Sequence, residues 1–249
     1  MRRLALRTAS FVVVGAATLA HAAEPPPPPW KAEPRRADAV RVLVVTGGHD
    51  HDPDFYAVFD DPAFRTTVDP HPNAFLRDIR DRADVLVLYD MTAQLEPARQ
   101  ATLRDFVEAG RGVVVLHHAI CTGKDWPWWY EEVVGGRWCF APSDPAAPLP
   151  YKHDEDIRVW PAMDHPITRG VPAFRIWDET YKGLWLGPRI QVLLRTDHPD
   201  SDGPVAWIGP HRKARVVYLQ LGHDRNATLN PSWQRLVRNA ILWSAGRLK

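Results

Sequence analysis

Three of the chain's eleven histidines stand just after apolar, strand-like runs. His49 follows Val42 to Val45 across a Thr46-Gly47-Gly48 turn, His117 follows Val113 to Leu116, and His223 follows the run ending at Leu221 across Gly222. Imidazole changes charge near neutrality, so it can donate a proton, accept one or, when neutral, bind a metal. Glu179 and Tyr181 are two positions apart, which an extended backbone puts on one face. His49, His117, Glu179, Tyr181 and His223 therefore form a set suited to acid–base catalysis. No cofactor is fixed by the sequence. His49, His117, Glu179 and His223 are the candidate ligands of a divalent metal, zinc first, since three protein ligands would leave a position for water. No H-E-x-x-H or C-x-x-C spacing supports the metal, so a metal-free pocket in which imidazoles bond to hydroxyls stays open. Each residue also has an ordinary reading. His49 can cap a turn, His51 can be solvated in its loop, and Glu179 and Tyr181 can serve a salt bridge and the core. Gly48, which lets backbone approach a ligand closely, and His51 are candidates for substrate contact. His118 turns away from His117 if strand alternation continues.

The elements that hold these residues are legible in the apolar pattern. Val42 to Val45, Phe64 to Val68, Val85 to Leu88 and Val113 to Leu116 are short apolar runs, the first, third and fourth unbroken, as in strands covered on both faces. Between them the spacing predicts a helix over 73–82, with Phe75, Leu76 and Ile79 on one face. A second helix has Pro97 in its first turn, Leu103, Phe106 and Val107 inward, and Gly110 as its stop. Alternating strands and helices predict an α/β fold with a doubly wound, mostly parallel sheet. Strand-like segments over 157–160, 174–177, 191–195, 205–208 and 215–221 predict an antiparallel extension in the second half. A closing helix starts at Asn230-Pro231, repeats Trp233, Leu236, Val237, Ala240 and Ile241, and ends at Gly246. Ligands of such sheets bind beyond the carboxyl ends of the strands. A strand order 3-2-1-4 would make the first and fourth strands neighbours and set His49 beside His117. Trp126, Trp128, Trp129 and Trp138 follow the fourth strand. Flat aromatic faces suit sugar rings, which makes Trp129 a candidate contact, against ordinary burial.

Seven motifs, in order, resemble the ThuA family over about residues 40 to 246. They are Gly47-Gly48-His49-x-His51, Val115-Leu116-His117-His118-Ala119, Gly135-Gly136-Arg137, His165-Pro166-Ile167-Thr168, Asp178-Glu179-x-Tyr181, Tyr218-x-x-Leu221-Gly222-His223-Asp224 and Asn239-x-x-x-Trp243-x-x-Gly246. The resemblance implies a flavodoxin-like sheet of the class I glutamine amidotransferase type. It also implies a role in the catabolism of sugars, oxidised (keto) sugars included, and adds Arg137 and Asp224 as substrate contacts. Amidotransferase chemistry itself is not expected. It needs a cysteine on the strand-to-helix elbow, and His117-His118 stand there, with Cys121 several residues on. The expected function is action on a sugar or keto-sugar derivative by His/Glu acid–base chemistry, metal-assisted in one version, as a hydrolase, lyase or isomerase. A two-carboxylate glycosidase fits less well, because Asp178 faces away from Glu179 on a strand. The alternative is a non-catalytic sugar-binding protein.

Residues 1–22 read as a signal peptide: Arg2, Arg3 and Arg7, an apolar run from Phe11 to Ala20, and Ala20-His21-Ala22 as the cleavage site. A Pro-rich linker over 23–39 leads to one domain over 40–249. The leader carries three of the 31 basic residues and none of the 30 acidic ones, leaving 28 against 30. That balance is no footprint for nucleic acid, and no later stretch is apolar enough to span a membrane. The expected partner is a small carbohydrate, and the expected compartment is the periplasm or the medium. There Cys121 and Cys139 can pair, or remain buried thiols. N-terminal sequencing of the native protein should find a mature chain starting near Ala23; retention of Met1 and the apolar run would overturn export.

Overall fold

The computed structural model describes residues 36–92, 94–138 and 150–249. The leader, most of the Pro-rich linker and Cys139 lie outside the described residues, and with them the cleavage site and the cysteine pairing.

The first apolar runs become β1 (Val40–Gly47), β2 (Phe64–Val68), β3 (Val85–Asp90) and β4 (Gly112–Leu116). β3 and β4 are buried at every position, as strands covered on both faces must be. β5 (Gly136–Arg137), β6 (Tyr151–Pro161), β7 (Phe174–Tyr181), β8 (Trp185–Leu186), β9 (Gln191–Thr196), β10 (Pro204–Ile208) and β11 (Val216–Leu219) follow. β5 and β8 pair with each other; the other nine form one mixed sheet in the order β2-β1-β3-β4-β11-β10-β9-β6-β7.

Two expectations about this sheet are corrected. β1 and β4 are not neighbours: β3 lies between them, paired in parallel with both. The chain winds outward from β1 to β2, then returns to β3 on the other side. The order therefore reverses between β1 and β3, as in flavodoxin-type sheets. Also, β11 pairs in parallel with β4. It is the fifth parallel strand, and only β10, β9, β6 and β7 make the antiparallel arm.

Helix α1 (Pro97–Glu108) covers one face of the sheet, packing Leu103, Phe106 and Val107 with Leu43, Val45, Leu86 and Leu88. After the single turn α2 (Arg225–Thr228), helix α3 (Pro231–Ser244) covers the other face, packing Trp233, Leu236, Val237, Ala240 and Ile241 with Val42, Val44, Val85 and Val87. The Asn230 side chain caps α3 by accepting from the Ser232 N–H at 2.9 Å. The helix expected over 73–82 shrinks to a 3-10 turn at Asn73–Phe75. Phe75 and Ile79 are buried, but Leu76 is 65% exposed. Asp78 accepts from the Arg80 N–H at 2.9 Å, a local bond that competes with continued helix. No helix among the described residues is long and apolar enough to cross a membrane.

β6 is long, and only Val159–Pro161 pairs with β9, whereas Tyr151–Val159 pairs with β7. Its first half and β7 thus form a two-stranded ribbon free to bend away from the sheet. In a flat sheet β7 would lie four strand spacings, roughly 19 Å, from β11. Yet Asp178 of β7 accepts from the Gly222 N–H at 2.7 Å and the His223 N–H at 2.9 Å, just beyond β11. The arm therefore curls back until its ribbon lies over the carboxyl ends of the parallel strands.

Where β1 and β3 end, their backbones meet closely. Gly48 has φ +77°, and a Cβ placed on it would lie 2.2 Å from the Met91 carbonyl oxygen. The glycine is thus required by chain packing before any question of ligand. Gly48→Ala should cost at least about 1–2 kcal/mol from left-handed backbone alone, and more from the overlap. Urea unfolding would show it as a lowered midpoint; an unchanged midpoint would mean that the loops part freely.

Candidate functional site

The reference point of the site is His117, at the junction of β4 and a 3-10 turn over His117–Cys121. It is fully buried, with φ +51°, a left-handed conformation that is rare outside glycine and marks strain. The Tyr218 hydroxyl donates to its carbonyl at 3.2 Å. Its Nδ1 lies 2.6 Å from the Gln220 carbonyl oxygen. A carbonyl only accepts, so Nδ1 carries the proton and donates, and in the neutral ring Nε2 is left with a free lone pair.

Three groups from three chain segments converge there. Nε2 of His117 is 3.0 Å from Glu179 Oε2 and 3.2 Å from His223 Nδ1, and the last two are 3.5 Å apart. Among the described residues these three form the cluster able to hold a metal ion. For a tetrahedral zinc with bonds of ~2.0–2.1 Å, ligand atoms sit about 3.3–3.4 Å apart, and the observed triangle matches one face of that tetrahedron. A histidine that donates its other N–H to a backbone carbonyl is the usual arrangement for a metal ligand, and His117 is so oriented. The Tyr181 hydroxyl lies 3.0 Å from the same Nε2.

Neighbouring residues of β7 bring this about. Asp178 on one face fixes the Gly222-His223 turn, and Glu179 and Tyr181 on the other face the cavity. The cavity holds about 180 Å³, less than drug-sized ligands need.

The remaining candidates are placed as follows. His49 lines the cavity, but not beside His117 through strand adjacency. It stacks on His118 at 4.6 Å between centroids and meets His223 edge-on at 5.9 Å. It stands outside the metal cluster, and its Nδ1 is 2.6 Å from the Asp50 carbonyl oxygen, to which it donates. His118, expected to turn away from His117, is buried but also lines the cavity. His51 bonds the Tyr56 hydroxyl at 2.8 Å. Trp129 is buried against Trp126 and Gly123 rather than in the cavity wall, because a large indole gains more from the core than from a mouth. Arg137 lies over the Tyr130 ring at 4.6 Å, and Asp224 caps α2 through the Asn226 and Ala227 N–H groups. Sequence reasoning missed Met91, Tyr151 and His153, which line the cavity together with Trp138, one of the four tryptophans weighed above. The signal for His153 was its place on the strand that pairs with the Glu179 segment, but the apolar pattern starts that strand only at Ile157.

The sequence profile of the ThuA family, described as trehalose utilisation, matches residues 41–244. Among solved structures, a protein described as ThuA-like from Parabacteroides merdae ATCC 43184 is similar with TM-score 0.67 and 19% identity, over 85% of this chain and 92% of that one. A second, from Bacteroides uniformis ATCC 8492, gives TM-score 0.58 and 20% identity over 85% and 94%. A protein described as a GMP synthase subunit from Thermoplasma acidophilum gives TM-score 0.51 and 14% identity over 83% and 95%. These likenesses show the fold: a mixed, largely parallel sheet of the glutamine amidotransferase type. No curated protein matches in sequence.

Charge in the site is set by burial and by Glu179. Burial alone would lower the His117 pKa, but the hydrogen bond and charge of Glu179 overcome it and hold the pKa above its usual value. Glu179 is lowered in turn: burial pushes it up, and His117 more than compensates. Burial raises Asp178 to about 6 and lowers His223 to about 4, with the charge of His117 adding to the second shift. His118 falls to about 2, first by burial and then by repulsion from His117 and His49. His118 gives a measurable consequence in the metal-free protein. Between pH 6.5 and about 2 the unfolded chain protonates this residue and the folded chain does not, so stability falls with falling pH, by up to about 1.4 kcal/mol per pH unit. In His118→Phe that contribution is gone. Urea unfolding from pH 6.5 to pH 4 should give a shallower pH slope for the variant than for wild type; parallel slopes would show that His118 protonates normally in the fold.

Proposed function

Given that the chain belongs to the ThuA family, we propose that it acts on a sugar or keto-sugar derivative at a site where His117, Glu179 and His223 hold a divalent metal, zinc first. The observation that carries this reading is the triangle of ligand atoms with sides of 3.0, 3.2 and 3.5 Å. The oriented His117 tautomer supports it. A metal with three protein ligands and an open position supplies Lewis acidity, toward a carbonyl or a bound water.

The chain's own residues supply the rest. His49 faces the cavity from the β1 side and donates through Nδ1 to its own loop. Its Nε2 is therefore the nitrogen that takes a proton from the substrate or returns one. Burial, and then the charge of Glu179, hold the Tyr181 phenol protonated well past neutrality, so it acts as a hydrogen-bond donor. Met91, Trp138 and Tyr151 give the cavity an apolar side, suited to the C–H patches of a sugar ring. Proton transfer beside a keto group, as in a lyase or isomerase, uses this set more naturally than two-carboxylate hydrolysis. Export to the periplasm belongs to the same proposal and rests on the leader sequence.

A second reading, a metal-free sugar-binding pocket, is favoured by one observation. His117 and Glu179 satisfy each other as an ion pair, the first raised and the second lowered. Elemental analysis of freshly purified protein separates the two. About one zinc per chain, lost in His117→Ala together with turnover of a 3-keto-glycoside, is the expected result. A metal content near zero with chelator-insensitive behaviour would remove the metal. Sugar binding without turnover in wild type would leave the second reading.

A further inference from the structure

His153 enters the cavity by a local irregularity of β6. Tyr151 pairs with Tyr181 and Lys152 with Thr180, but the next pair is Glu155 with Asp178. His153 and Asp154 together oppose Glu179: two residues against one, a β-bulge. Asp154 takes the extra turn of backbone at φ +60°, a conformation that Asp accepts more readily than most residues. Its Oδ1 accepts from the Trp177 indole N–H at 3.2 Å, which ties the bulge to β7.

The bulge changes which face the side chains meet. Without it, every odd position from 151 to 159 would share one face. With it, Tyr151 and His153 join Tyr181 and Glu179 at the cavity, while Ile157 and Val159 pack with Ile176 in the core. The same strand therefore serves the core and the site. Bulges beside active sites commonly re-aim a side chain in this way.

His153 Nδ1 lies 3.3 Å from Glu179 Oε1, whereas the other oxygen, Oε2, is the one turned to His117 and His223. We propose that His153 is the positioning residue of the site. Its Nδ1–H holds Oε1 so that Oε2 stays aimed at the ion, and its Nε2, on a side chain 49% exposed at the mouth, is left to accept a hydrogen bond from the ligand. This rests on the metal reading above. A carboxylate ligand with one free oxygen can rotate; a donor on that oxygen removes the freedom, as outer partners of metal ligands do.

The test uses Zn²⁺ alone as the probe, in competition with a chromophoric chelator, on the full chain. Wild type should bind zinc, and His153→Ala should bind 10–100-fold more weakly with an unchanged urea midpoint, since the side chain is half exposed. His153→Asn, whose amide N–H can stand in for Nδ1–H, should recover most of the affinity. Replacing His198, which pairs with Glu155 at 3.2 Å away from the cavity, by Ala should leave zinc binding as in wild type. Equal affinities of wild type and His153→Ala would overturn this inference alone. A wild type that holds no zinc would overturn the metal reading and this inference with it.

Discussion

The Asp178 carboxylate joins the two halves of the molecule. It is buried and accepts the Gly222 and His223 N–H groups beyond β11 as well as the Glu179 N–H beside it. A buried carboxylate is costly unless such donors surround it, and here two of them come from one turn, 44 and 45 residues away. The bond can form only if the antiparallel arm curls over the parallel strands. Once it has formed, Glu179 and Tyr181 have one place to go, above His117. The site is thus a consequence of sheet closure. Its three convergent side chains come from the end of β4, from β7 and from the turn after β11.

That dependence explains why the sequence was legible in part. Continuous apolar runs revealed β1, β3 and β4, and Pro97 with Gly110 bracketed α1, because strands and helices buried against a sheet must show those patterns. The rule that parallel sheets bind at carboxyl ends singles out His117 and His223, and a same-face pair on an extended segment singles out Glu179 and Tyr181; the fold brings the four together. What failed was the relation between elements. The pattern of β1 says nothing about which side β3 will take, so the neighbour of β4 was misassigned. His49 did arrive near the site, but against His118 and His223, because the whole carboxyl edge is crowded. Residues 73–82 carried a helical apolar period, yet Ala74, Phe75 and Ile79 bury without a helix, and Asp78 uses its backbone partner locally.

The aromatic residues show a different limit. Of the four tryptophans after the fourth strand, Trp129 is the candidate sugar contact, but it and Trp138 are almost wholly buried. Trp138 stacks on Tyr181 at 4.0 Å and donates to the Lys182 carbonyl. It lines the cavity as a wall packed behind Tyr181 and is not an open platform. Tyr151 is a half-buried ring in the cavity wall, and its cavity-side orientation depends on a pairing register that composition does not encode. A one-residue bulge is invisible to any pattern of period two, since it breaks the period.

The left-handed backbone of His117 sets stability against the geometry of the site. At a strand-to-turn elbow the conformation with the lowest backbone cost would carry glycine, yet the residue there is an imidazole with both ring nitrogens engaged. The strain, of order 1–3 kcal/mol for such a conformation, is held in place by the Tyr218 and Gln220 contacts rather than relieved. Variants selected only for heat resistance would drift toward glycine at this position, whereas those selected to keep the site's arrangement would retain the tension. The elbow is therefore where the two kinds of selection should be easiest to tell apart in an evolved library.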